Sequence, residues 1–404
     1  MTTPEPATAF EAGPEADTPE PAHALRAGLV AGAAYVMVGW WALLVPSLIR
    51  FVAPTFDQTD AGLGAYYLAT ALAYGLGALF GGRFIRRFGA RIILPAAAVL
   101  MAAGLIVQGF TGLWLVFALA GIVVSIGASS ADVGIQALFL DLFPHARGRA
   151  LNLLHVAYGG GALMAPLLLA ALVGLGIDWQ WLMTGSGIAV AIAAVGMALT
   201  VPANPGAGLA AGEGGGPDAV ARTRRLPMFL LVLAVSIVCY VAAEAGVSDW
   251  LVRYLEALPI TQASFALTLF WAGIAGGRLV FARVGNRLDP QASASVLAVA
   301  GGLLLAIAFL VPVGDVTPFL FGAVGIAFGP IFPLVVAAAG ARMPGESATV
   351  TGTLVFSAVI GAVVYPPAIG FLSEVIGLHA AMFGTALLAV ACGAAVWVSR
   401  GIKG

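Results

Sequence analysis

Asp132 sits well inside a long apolar run, and Ser125, Ser129, Asp132 and Gln136 follow one another at steps of four, three and four. That spacing puts all four on one face of a helix. An acid at the centre of a membrane helix costs about 2.5–3.5 kcal/mol on insertion scales, so it needs a hydrogen-bonding neighbour or a wet cavity. Two roles are open to Asp132: a structural bond to a neighbouring helix, or a cavity wall that binds a solute and exchanges a proton. Asn152, His155 and Tyr158 form a second polar set at steps of three. His155 can be neutral or charged near pH 7, or it can simply pack. Tyr240, Glu244 and Ser248 form a third set, with Asp249 just beyond. Glu244 lies about 25 Å along its helix at 1.5 Å per residue, a depth at which a carboxylate can serve proton exchange. Asp249 and Arg253 are four apart and suit a solvated pair on the helix rim. Trp40, Trp41 and Trp271 offer flat indole faces that suit either core packing or the C–H face of a sugar.

Such residues need elements that hold them inside an apolar medium. Hydrophobic residues make up 61% of the 404-residue chain and charged residues 9%. A soluble domain carries about 25% charged residues, so lipid must be the main solvent here. Net charge is -1, with no basic stripe for nucleic acid. Cys239 and Cys392 stand alone in apolar runs and offer neither a disulfide framework nor metal-ligand spacing. No G-x-S-x-G, H-E-x-x-H or nucleotide loop occurs outside a span, so an enzyme is not expected, nor a cofactor.

The chain divides into twelve apolar stretches, from Ala27–Ile49 to Leu378–Val398, each near the roughly 20 residues a bilayer requires. Among them are Leu113–Leu140, Ala150–Gly176, Pro227–Leu251, Thr261–Ala282, Val316–Ala341 and Ala348–Leu372. Arg83, Arg86, Arg87 and Arg91 cluster between the second and third. Arg147, Arg149, Arg222, Arg224, Arg225, Arg278, Arg283, Arg287, Arg342 and Arg400 fall in or beside loops of the same side, while Arg50 and Arg253 fall on the other. This asymmetry predicts a multi-pass protein of the cell (plasma) membrane with both termini cytoplasmic. It leaves no cation at midplane depth.

The two halves echo each other at an offset of about 200 residues, with Arg87 matched by Arg287, Gly161 by Gly361 and Pro166 by Pro366. The expected domains are a disordered tail (1–25), a six-helix bundle (26–201), a Gly- and Pro-rich cytoplasmic linker (202–226) and a second six-helix bundle (227–404). The expected fold class is therefore all-α integral membrane, with twelve transmembrane helices in two pseudo-symmetric bundles. Gly28 with Gly32, Gly77 with Gly81 and Gly273 with Gly277 should let helices approach closely. Pro166, Pro366 and Pro367 should bend the fifth and eleventh helices.

This plan, with an Arg-rich turn after the second helix, resembles the major facilitator superfamily, whose turn reads roughly G-x-x-x-D-R-x-G-R-R. Gly82, Arg87, Gly89 and Arg91 fit that frame, but Arg86 stands where the acid should be. In the second copy Arg287 fits, while Asn286 replaces the acid and Asp289 the glycine. The resemblance assigns these residues to gating, and the missing acid puts one interbundle latch in doubt. "LNLLHVAYGGGALMAPLL" and "FWAGIAGGRLV" further resemble the fucose/glucose proton-symporter branch. In that branch the positions of His155 and Tyr158 carry amides that contact substrate, and an acid lies within one residue of Asp132. The branch's helix-one acid is missing here, so Asp132 or Glu244 would carry the proton, or the chain would be a uniporter.

These readings converge on a monomeric secondary transporter in a lipid bilayer, working by alternating access on a small polar solute such as a sugar and on protons. Ser129, Asp132, Gln136, Asn152, His155, Tyr158, Tyr240 and Trp271 are the expected solute contacts, with Asp132 and Glu244 as proton carriers. An exporter of drugs or metabolites on the same fold is the alternative.

Overall fold

A computed structural model describes residues 21–202, 226–284, 287–344 and 346–402. Residues 1–20 of the expected tail and 203–225 of the linker lie outside the described residues, whereas residues 21–25, expected to be disordered, form the start of α1. Among the described residues every regular element is a helix. The first half contains α1 (Pro21–Ala42), α2 (Leu44–Thr55), α3 (Asp60–Phe88), α4 (Ala90–Phe110), α5 (Trp114–Leu142), α6 (Arg147–Gly174) and α7 (Trp179–Thr200). The second half contains α8 (Met228–Tyr254), α9 (Ile260–Val284), α10 (Pro290–Leu310), α11 (Thr317–Phe328), α12 (Ile331–Arg342), α13 (Ser347–Ile376) and α14 (Leu378–Ser399). Twelve spans are long and apolar enough to cross a membrane, with α11 and α12 together forming one of them and α2 too short to be counted.

Two spans differ from expectation. The first is not one rod over Ala27–Ile49 but α1 followed by α2, broken at Leu43. The tenth breaks at Gly329–Pro330, where proline lacks the N–H that would continue the helical ladder. By contrast α6 and α13 remain continuous helices through Pro166, Pro366 and Pro367. The Trp250 indole of α8 donates to the Pro366 oxygen of α13 at 2.8 Å and ties the two helices together.

The repeat is visible in packing. In the first half α6 lies on α1, α5 on α3 and α7 on α4; in the second α13 lies on α8, α11 on α9 and α14 on α10. The matched glycines explain why. A Cβ on Gly161 would stand 2.0 Å from the Val36 oxygen, and one on Gly361 would stand 2.5 Å from the Val238 oxygen. Only a bare backbone permits either approach.

The Arg-rich turn is made differently in the two copies. Gly89 joins α3 to α4 with φ 82°, a conformation that disfavours L side chains. In the second copy Asp289 caps α10 by accepting the Ala292 N–H, and Pro290 starts the helix. Asp289 also meets Arg400 at 3.6 Å. The departure at Asp289 is thus a change of turn chemistry. Asn286 lies outside the described residues.

Candidate functional site

Asp132 is the hub of a hydrogen-bonded cage inside the first half. Tyr35 of α1 donates to its Oδ1 at 2.5 Å, Tyr74 of α3 to its Oδ2 at 2.6 Å, and Gln136, one turn along α5, to Oδ1 at 2.8 Å. Gln136 also donates to the Tyr35 hydroxyl at 3.2 Å. Three donors from three helices stabilise a buried negative charge far better than burial alone would allow. The Tyr35 ring then meets His155 edge-on at 6.1 Å and Tyr158 at 5.7 Å. The fourth- and fifth-span stripes of the sequence therefore converge on one cluster, through two tyrosines that sequence reasoning missed.

Beside this cluster, between the halves, lies a cavity of about 940 Å³. Its polar and aromatic wall comprises Trp41, Tyr66, Tyr67, Thr70, Tyr74, Ser125 and Tyr158 from the first half and Glu244, Ser248, Asp249 and Trp271 from the second. Trp41 stacks on Tyr74 with centroids 6.0 Å apart, so Tyr74 carries the Asp132 cage to the cavity surface. Trp271 is fixed by a 3.0 Å hydrogen bond to Ser248. Tyr158 lies within electrostatic reach of Asp132 in its own half and of Glu244 and Asp249 across the cavity. Leu72, Leu76 and Leu79 of α3 and Phe356, Val359 and Val363 of α13 form an apolar flank.

Of the expected solute contacts, Tyr158 and Trp271 line this cavity, as does Glu244. Asp132 and Gln136 stand one side chain behind it. Ser129 is fully buried in the α3–α5 seam, its hydroxyl turned to the Ile126 oxygen at 3.2 Å. Asn152 is exposed on α6, and His155 is exposed with Nδ1 2.9 Å from the Leu151 oxygen. Tyr240 is buried against Phe328. Trp40 donates to Ser186 at 3.0 Å and serves packing between α1 and α7. The missed wall residues Tyr67, Thr70 and Tyr74 had a legible signal: steps of three and four in the second span.

Two electrostatic expectations need correction. Asp249 does not pair with Arg253; Arg253 reaches instead across the halves to Asp60 at 3.0 Å and pairs with Glu256. The halves sit close enough there that the interbundle partner outcompetes the rim pair. Arg278 is not a loop residue. It lies inside α9, six residues before the helix end, or about 9 Å at 1.5 Å per residue. Its Nε donates to the Gly329 oxygen at 3.1 Å, and its charge acts on both Tyr240 and Glu244. A cation therefore acts on Glu244 from inside α9, nearer the arginine-rich end of the helix than its middle.

The cavity is sealed at one end and splayed at the other. At the end away from the arginine cluster, Gly64 and Gly370 bring α3 and α13 into backbone contact. Arg50 donates to the Val252 and Leu258 oxygens of the other half at 2.6 and 2.8 Å. Tyr67 donates to the Asp249 oxygen at 3.2 Å, and the Ala61 N–H donates to Glu374 at 3.2 Å. Toward the arginine-rich end the same two helices part: Gly75 and Gly352 face open space, Leu79 is 67% exposed and Phe356 66%.

A family model described as Major Facilitator Superfamily matches residues 29–352. The chain belongs to the Major Facilitator Superfamily. No curated protein matches closely enough to add a narrower relative. Among solved structures, a bacterial homolog of the human lysosomal transporter Spinster, inward-facing and unoccupied, has a TM-score of 0.77 at 15% identity, covering 94% of this chain and 98% of its own. The nucleoside transporter NupG has 0.73 at 14%, covering 94% and 100%. The inward-open xylose transporter XylE from E. coli has 0.71 at 15%, covering 94% and 96%. At such identities the likeness fixes the superfamily fold and not a branch. The superfamily's motif residues Arg87, Arg91 and Arg287 are all exposed at the splayed end, with Arg87 lying over the Phe88 ring at 5.3 Å. Gly82 has room around it, and Gly89 makes the turn.

Proposed function

We propose that the protein is a secondary active transporter that moves a small organic solute through the interbundle cavity by alternating access. The observation that carries this is the cavity itself, bonded shut across the halves at one end and open at the other. With the arginine-rich end taken as cytoplasmic, this is the inward-facing state of a plasma-membrane carrier acting as a monomer. Proton coupling runs through Asp132 or Glu244. The Asp132 cage supports the first choice, because protonating the carboxyl would remove an acceptor and release Tyr74, which touches the cavity. The gating arginines would meet the opposite half when the splayed end closes.

A polar solute such as a sugar fits the tyrosine and tryptophan wall. The apolar flank of Leu72, Leu76, Leu79 and Phe356 favours a second reading, an exporter of amphipathic metabolites or drugs. Purified protein in liposomes, given a pH gradient and a panel of sugars and amphiphiles, separates the two. Asp132→Asn is expected to abolish gradient-driven accumulation while sparing solute exchange. Unchanged proton-driven uptake in that variant would remove Asp132 from the coupling role.

A further inference from the structure

We propose that the cavity's ligand is an amphipathic amine, its protonated head against Glu244 and Asp249 and its apolar body along the α3–α13 flank. This rests on the transport reading and assigns its substrate class. Three independent features point the same way.

The first is charge. Glu244 and Asp249 are the only ionisable groups of either sign, tyrosines aside, among the residues lining the cavity; no Lys, Arg or His lines it. Glu244 Oε2 is buried with no hydrogen-bond partner, and of the neighbouring side chains only the Tyr240 hydroxyl and the Arg278 charge act on this carboxylate. A buried acceptor left empty costs about 1–3 kcal/mol, more when charged, so it marks a place for a donor. Arg278 lies outside the lining and forms no ion pair with Glu244 among the described residues. Its single charge offsets one of the two acids, and the Asp132 carboxylate behind Tyr74 adds a further negative field.

The second is the rings. Trp41, Tyr66, Tyr67, Tyr74, Tyr158 and Trp271 surround the same space. Aromatic faces attract a cation by about 0.5–2 kcal/mol each, and a desolvated site lies at the upper end of that range. The third is the flank. Leu72, Leu76, Leu79, Phe356, Val359 and Val363 belong to the two helices that part below Gly64 and Gly370, and all six touch the cavity. An apolar chain of the ligand can lie there at the depth of the acyl chains. The volume, about 940 Å³, suits a drug-sized molecule.

The test uses one tail with three heads: decylammonium, decanol and decanoate. Each is titrated against the full-length protein in a non-ionic detergent, read by tryptophan fluorescence and by the unfolding midpoint. The amine is expected to bind at least tenfold more tightly than the alcohol, with the carboxylate weakest. That order runs against the arginine-rich surface, which would favour the carboxylate. Glu244→Gln should lower amine affinity tenfold or more and leave decanol unchanged, while Glu244→Asp should keep the preference. Asp249→Asn provides a second reading should Glu244→Gln fail to fold. Equal binding of amine and alcohol, or a preference for the carboxylate, would overturn the proposal; so would an amine preference untouched by both neutral variants. Flux in liposomes is measured separately. Binding of the amine without flux would sink the transport reading alone, and flux of a sugar with no amine preference would sink this inference alone.

Discussion

At the scale of single residues, Asp132 is held by what surrounds it. Its three donors come from three helices, so the cage ties the first half together as well as presenting a proton acceptor. Tyr74→Phe keeps the ring on Trp41 and deletes one charged hydrogen bond, a loss of about 1.5–3 kcal/mol. The unfolding midpoint should fall accordingly. In an Asp132→Asn background the same substitution should cost less, about 0.5–1.5 kcal/mol, because the partner charge is gone and only a neutral bond can remain; full additivity would refute the charged bond's importance. The stripe around Asp132 was legible because helical spacing is a property of the chain alone. Tyr35 and Tyr74 were not, because the pairing of three helices is decided by packing far from Asp132 in sequence. Arg278 was misjudged for a similar reason: an arginine near a span end reads as an anchor unless the opposing helix is known to carry an acid.

At the scale of elements, bare backbone sets which helices meet. A Cβ on Gly39 would stand 2.0 Å from the Tyr158 oxygen, in the α1–α6 seam that also positions a cavity tyrosine. Gly39→Ala should destabilise by about 1–3 kcal/mol through overpacking. Gly185→Ala, where a Cβ meets nothing within 4 Å on α7, should be neutral or stabilising by up to about 1 kcal/mol. Thermal unfolding of the two variants side by side checks both; equal midpoints would count against seam packing as the reason for Gly39. Gly89→Ala forces an L side chain to φ 82° and ψ 152°, a region essentially reserved for glycine, and should cost about 1–3 kcal/mol. Span number and the repeat could both be read from apolar length and residue spacing. The breaks at Leu43 and at Gly329–Pro330 could not, since proline also sits inside the unbroken α6 and α13.

At the scale of the whole molecule, one end of the crevice is held by a few bonds between the halves. Arg50 supplies two of them, each worth about 1.5–3 kcal/mol as a charged hydrogen bond. Arg50→Gln should therefore move the balance away from this state by about a hundredfold or more, since 1.4 kcal/mol is a factor of ten. A cysteine placed at Thr70 should then become reactive to a polar thiol reagent from the sealed end; unchanged protection would show that Arg50 is not a latch. The acceptors of Arg50 and Tyr67 are main-chain oxygens of residues 252, 258 and 249, not side chains. Replacing the side chains at 252 and 258 leaves those oxygens where they are. Evolution can therefore rewrite the chemistry of that rim while the two donors opposite keep their grip.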